Sequence, residues 1–291
     1  MAARPEAPGG PSALPARAGS TLFGEDEPIL PKVHARSSAE EKIALFRALF
    51  AGRDDVYAAH WDNPRTGKSG WSPAVVGGPA NARRPDRAYL PLTDAVLEAH
   101  LSGRARVGLY PLLPGDACRL LACDFDGRSW QLDARAYQEA ARALGIDASL
   151  ERSRSGDGAH VWVFFTTPVP ASVARRIGAH LLREAMTVRA ELDLASYDRL
   201  FPAQDFMPKG SFGNLIALPL QGESRRNGAT VFLDDSLEAF DDQWAFLSGV
   251  RRVPAAAAHA IAEQVRDVTA GRWSPRIGAR SAATGRSRRL R

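Results

Sequence analysis

The sequence predicts an α/β domain of the α+β kind, built on a mixed β-sheet and preceded by a helical N-terminal segment. Three observations predict it. Apolar runs of strand length alternate with segments of helical periodicity along most of the 291 residues. Several of the strand runs come as hairpin-like pairs separated by Gly, Pro and Asp turns. A hydrophobic fraction of 45% beside 24% charged residues is that of a chain able to bury a core.

Residues 1–36 are rich in Pro, Ala and Gly without sustained periodicity, which predicts a disordered N-terminal arm. Order is expected to begin at "SSAEEKIALFRALFAGR". There Ser38 can cap, Glu41 follows three residues later, and Ile43, Phe46, Leu49 and Phe50 form an apolar stripe. The stretch from Arg53 to Arg87 reads as loop-rich. Its "RTGKSG" mimics a phosphate-binding P-loop, but Asp62 stands where that motif needs its first glycine, and no buried strand precedes it.

A short helix around Thr93–Leu101 comes next, then strands "RVGLYPLL" and "CRLLACDFD" joined by the turn "PGDA". "DARAYQEAARALG" is a helix closed by Gly145, and "DASLERS" and "HVWVFFTT" are strands flanking the loop "RSGDGA". "PASVARRIGAHLLREAMTVRA" is an amphipathic helix with Pro170 near its start. "SYDRLFPAQDFMPKGSFG" reads as a long loop, "NLIALPL" and "ATVFLD" as strands, and "DDQWAFLSGV" as a short helix. The catalytic domain is thereby expected over 37–250. Residues 251–291 open with an Ala-rich helix and end in a basic flexible tail.

Composition excludes several classes. No apolar run approaches the roughly 20 residues of a membrane span. The N-terminus lacks the continuous apolar core of a secretory signal. Two cysteines, Cys118 and Cys123, allow neither a disulfide framework nor a Cys-rich zinc site. A cytoplasmic protein is expected. The net charge of +5 suits a polyanionic partner, although an Arg-rich composition alone produces the same figure.

The apolar run Leu120-Leu121-Ala122-Cys123 ends in Asp124-Phe125-Asp126. On a strand, residues i and i+2 share a face, so the two carboxylates stand side by side. They repel, and each raises the other's pKa, unless a cation lies between them; an oxygen-preferring Mg2+ or Mn2+ suits. Alternatively, one acid caps the strand end and the other faces water. In "ERSRSGDGAHVWVFF", Gly156 and Gly158 allow close backbone approach to phosphate oxygens, Arg152 and Arg154 add charge, and His160 opens a buried strand. A polar hairpin turn would read the same way. Asp198, Asp205 and Lys209 in the following long loop are further candidates. Together these pieces are what metal-dependent nucleotidyl transfer requires.

At these residues the chain resembles the archaeo-eukaryotic primase superfamily, the catalytic fold of DNA primases, primase-polymerases and the polymerase domain of bacterial end-joining ligases. More narrowly, "GLYPLL", "DFDGRSW", "ERSRSGDGAHVWVFF", "SYDRLFPAQDFMPKGSFGNLIALPLQ" and "DQWAFLS" are similar to the primase domain of the TOTE conflict systems. The resemblance implies that superfamily's catalytic core with its RRM-like unit. Its first motif falls on Asp124 and Asp126. Its second falls on His160, with Ser155 and Gly158 in the same loop. Its third falls on Tyr197-Asp198, with Asp205 in reserve. It implies Mg2+ or Mn2+ on Asp124, Asp126 and Asp198, and an NTP or dNTP held by His160, Ser155, Arg154, Gly158 and Lys209. It further implies a single-stranded DNA template or template-primer as partner. Many relatives carry a cysteine cluster ahead of the catalytic strands; "SPAVVGGPANARRPDRAYLPLTD" has none, so a structural zinc is not expected. Helicase and nuclease modules, commonly encoded with that domain, would come from separate proteins.

Three functions compete. A primase or primer-extending polymerase uses all the motifs. A metal-dependent nuclease could use the same acids but has no need of the phosphate-gripping loop around His160. A non-catalytic nucleic-acid-binding module would not be expected to keep every acid. Trp61, Trp71 and Trp130 are candidate stacking platforms for single-stranded template, or else core residues.

Overall fold

The computed structural model describes residues 30–188, 197–207 and 209–269. Helix α1 (Ala39–Leu49) opens with the expected capping box: Ser38 Oγ accepts the Glu41 N–H at 3.2 Å, and Glu41 Oε2 accepts the Ser38 N–H at 2.8 Å. Strands β1 (Ala58–Asn63) and β2 (Lys68–Pro73) follow, then α2 (Asp94–Ser102) and β3 (Val107–Leu109). The long β4 (Ala117–Asp126) leads into α3 (Trp130–Ala143), and β5 (Ser149–Arg152) and β6 (Gly158–Pro170) into α4 (Ala171–Val188). The chain continues through β7 (Tyr197–Phe201), β8 (Ile216–Ala217), α5 (Gly222–Arg226), α6 (Gln243–Ser248) and α7 (Ala255–Thr269).

The strands form two four-stranded sheets, in the orders β2-β1-β3-β8 and β5-β6-β4-β7. Every ladder between these strands is antiparallel. Among the described residues parallel pairing is confined to one bridge, Phe165 with Val253, so the expected mixture of strand directions is slight. The β5-β6-β4-β7 sheet is covered on both faces, which is why β4 and β6 read as nearly unbroken apolar runs. Leu121, Cys123, Phe125, Val161 and Val163 pack with Tyr137 of α3, Ile177 of α4 and Ile261 of α7. On the other face Leu120, Ala122, Trp162 and Phe164 pack with Phe46 and Phe50 at α1, Leu97 of α2 and Trp244 of α6.

Several expectations change. The loop-rich stretch contains the β1–β2 hairpin, and "RTGKSG" spans its turn and the start of β2. Its residues are half-buried or exposed apart from Ala58, so the stretch lacks the apolar alternation that marks a strand. "NLIALPL" contributes a two-residue strand, and "ATVFLD" only isolated bridges through Phe232 and Leu233. Tyr197–Phe201, read as loop, is a strand. Leu30 and Val33 are buried in the core, so the packed chain begins ahead of Ser38. The remainder of the arm, residues 1–29, and the tail from 270 onward lie outside the described residues. Among the described residues no helix is long and apolar enough to cross a membrane.

Candidate active site

Asp124 and Asp126 stand at the end of β4, both on the face turned away from α3 and α4. Gly127 follows at φ 91°, a left-handed turn that glycine adopts freely, and swings the chain toward α3. Asp198 arrives from β7. Asp124 pairs with Arg199 and Phe125 with Tyr197, so Asp198 is the extra residue at an irregularity in the ladder. Such bulges re-aim side chains. One carboxylate oxygen from each of Asp124, Asp126 and Asp198 lies within 4.8 Å of the others. An all-oxygen set at this spacing fits a hard divalent cation such as Mg2+ or Mn2+.

The β6 strand supplies the neighbouring wall. Its register sets His160 opposite Asp124 and Gly158 opposite Asp126. A Cβ on Gly158 would fall 2.3 Å from Asp126 Oδ1 and 2.7 Å from the Phe125 carbonyl oxygen, so only glycine lets the loop pass this close to the acids. His160 Nε2 is 3.5 Å from Asp124 Oδ1, and its Nδ1 is 2.9 Å from Glu151 Oε2. Burial opposes a charge on His160. The Glu151 carboxylate outweighs it by charge and hydrogen bond, with help from Asp124 and Asp126, and the imidazole is pushed up to about 9. Asp124 is raised as well. Burial, then repulsion from Asp126 and Asp198, raises it to about 6 against the pull of His160 and Arg199.

These groups line an open cavity of about 730 Å3 between the two sheets. Asp124, Asp126, Asp198, His160, Arg154 and Ser155 share its lining with Arg199, and Trp71 of β2 and Ile216 and Ala217 of β8 are among its other lining residues. Arg199 donates to Asp198 Oδ2 from Nε at 2.6 Å. Ser155 Oγ accepts the Asp157 N–H at 3.2 Å and lies 3.0 Å from Ser153 Oγ, which holds the loop in a tight turn.

Other candidates are placed elsewhere. Asp205 pairs with Arg175 at 3.0 Å and is not among the clustered acids. Lys209 is exposed and does not line the cavity. Arg152 turns away to the carbonyls of Gly228 and Leu237, at 3.0 and 3.1 Å. Trp130 is a core residue packed with α3 and α4, and Trp61 lies across Gly70 in the hairpin. Of the three tryptophans, Trp71 alone lines the cavity, edge-on to His60 at 5.0 Å. Sequence reasoning missed Arg199 and Glu151. The acid-base pair Asp198-Arg199 was a signal for the first, but Glu151 shows itself only through the β5–β6 register.

Residues 41–261 match the family described as the TOTE conflict system, archaeo-eukaryotic primase domain. Among solved structures, the chain is similar to the polymerase domain of Mycobacterium tuberculosis ligase D in complex with DNA. The identity is 17%, the TM-score 0.36, and the match covers 84% of this chain and 95% of that one. A search of curated proteins found no match. With most of its length matched to that family, and an acidic cluster fit for a divalent metal at its centre, the chain belongs to the archaeo-eukaryotic primase domains of the TOTE conflict systems, a nucleotidyltransferase family.

Proposed function

We propose that this chain is a DNA-dependent primase-polymerase, transferring nucleotides from NTPs or dNTPs to a primer or an initiating nucleotide. The observation that carries the proposal is the meeting, in one open cavity, of three clustered carboxylates with a loop bearing Arg154, Ser155 and His160. Asp124, Asp126 and Asp198 would hold Mg2+ or Mn2+. Bound there, such ions supply activation of an attacking 3′-hydroxyl and neutralise charge on the departing pyrophosphate. The chain's own groups bind and orient. His160 offers a cationic N–H toward the acids, and the Arg154 guanidinium and Ser155 hydroxyl extend donors along the same wall. Phosphate oxygens are the natural acceptors for such a row. Trp71, on the opposite sheet, supplies an aromatic face large enough for a base.

The test is incubation of the full chain with single-stranded DNA template and labelled NTPs or dNTPs. It is run in Mg2+ or Mn2+, with and without a primer. Template-dependent incorporation that Asp124→Ala and Asp126→Ala both abolish is expected. Template degradation without incorporation would assign the acids to a nuclease, and binding without chemistry would make the chain a docking module.

A further inference from the structure

Glu151 is a buried carboxylate, 1% exposed, lying behind the cavity wall in β5. It faces His160 across the β5–β6 ladder. Its Oε2 meets two partners, Trp162 Nε1 at 2.8 Å and His160 Nδ1 at 2.9 Å. An indole N–H can only donate, so Oε2 is an acceptor. His160 Nδ1 is then the donor on that side, and flipping the ring would set a carbon against the carboxylate. The indole is itself immobilised, stacked on Phe164 and edge-on to Phe50. What remains free is Nε2, directed at Asp124 and the cavity.

We infer that Glu151 is a positioning residue, a buried anchor that fixes the ring plane of His160 and aims its Nε2 into the cavity, toward the phosphates of a nucleotide held there. The inference rests on the nucleotidyl-transfer proposal above. Glu151 is absent from the cavity lining and from the acid cluster, so as a positioning residue it acts on nucleotide binding through His160. A purely structural residue would act independently of that imidazole.

The test is a double-mutant cycle read by equilibrium binding of ATP and dATP in Mg2+, without template. Glu151→Met keeps the side-chain length and removes the acceptor. It should weaken nucleotide binding about tenfold, the scale of one charge-assisted hydrogen bond. In a His160→Ala background the same change should alter affinity less than about twofold, because the two effects are not independent. Glu151→Gln, whose carbonyl oxygen can accept both donors, should restore most of the loss. Equal losses in both backgrounds, or a Gln variant as weak as the Met variant, would overturn the inference and leave the nucleotide site standing. Unchanged nucleotide affinity in His160→Ala would overturn the nucleotide site as well. Should Glu151→Met fail to fold, 15N resonances of His160 in the wild-type chain decide. A protonated Nδ1 insensitive to ATP, beside an Nε2 that shifts on adding it, is expected. An unprotonated Nδ1 refutes the anchor.

Discussion

Replacing Asp124 by Asn should make the protein more stable in chelator while removing most of its response to Mn2+. The carboxyl is raised from 3.8 to about 6, mainly by burial and then by the charges of Asp126 and Asp198. At about 1.4 kcal/mol per unit, the folded state carries roughly 3 kcal/mol of cost for keeping Asp124 ionised at pH 7.5. The sign follows from proton uptake. Between 3.8 and about 6 the folded chain binds more protons than the unfolded one, so this group's contribution falls as pH rises through that window. Asn removes the charge and keeps the shape. Allowing for the weaker bond it offers His160, a gain of about 1–3 kcal/mol corresponds to a rise of roughly 2–10 °C in melting temperature. The assay is thermal unfolding of both proteins in chelator from pH 7.5 down to 4, repeated with millimolar Mn2+ at pH 7.5. The gap should narrow below about pH 6 and close near 4. Wild type should gain stability with Mn2+ and the variant should gain little. A variant that melts lower in chelator, or gains as much from Mn2+, would refute the argument that these carboxylates are held together for a cation.

Three further outcomes follow from the geometry. Asp198→Asn should abolish nucleotide incorporation, whereas Asp205→Asn, which loses only its pair with Arg175, should stay within a few-fold of wild type; reversed results would move the third acid to Asp205. Gly158→Ala should depress incorporation far more than melting temperature, because its Cβ meets Asp126 Oδ1 and the Phe125 carbonyl locally; full activity would show that the loop can retreat. His100, buried and bonded to Pro219 O and the Val107 N–H, is lowered to about 4 by burial. Its contribution is therefore complete above its unfolded value of 6.5 and lost as pH falls through about 4, some 3 kcal/mol in all. Wild type should lose stability relative to His100→Gln across that interval, and parallel pH profiles would contradict the assignment.

The parts of the site that were legible in the sequence are those whose geometry is local. The spacing of Asp124 and Asp126 on an apolar strand declares a shared face, and "RSGDGAH" declares a tight loop feeding a buried strand. What depends on pairing between distant strands was not legible. Asp198 reaches its partners because β7 carries an extra residue opposite Asp124 and Phe125, and "SYDRLF" alternates too weakly to announce a strand. Glu151 looks like any polar residue in a short strand until register sets it against His160. Arg152 and Arg154 are alike in sequence, yet β5 ends at Arg152, which reaches backbone carbonyls, and the turn that follows carries Arg154 to the cavity. Trp130 was ambiguous for the same reason, since a tryptophan at a helix start reads alike whether it meets core or solvent.

Pairing register also explains how so much charge is kept in a largely buried place. Arg199 of β7, Asp124 of β4, His160 of β6 and Glu151 of β5 are directly opposed from strand to strand. The row alternates guanidinium, carboxylate, imidazolium and carboxylate, and each charge has an opposite neighbour across the ladder. Cross-strand pairs of opposite sign are favourable, and buried ones demand such compensation. Asp126 and Asp198 lie off this row and are exposed, so the net negative charge accumulates at the cavity rather than in the sheet. Burial and rigid antiparallel pairing thus hold His160 and Asp124 in place, while the exposed carboxylates of Asp126 and of Asp198, the latter paired with Arg199, face the space where cation and phosphate would meet. If this division is right, removing the acceptor of an interior member, as in Glu151→Met, disturbs aim. Neutralising Asp126 or Asp198 disturbs metal affinity, and the two classes of variant should separate in nucleotide and Mn2+ titrations.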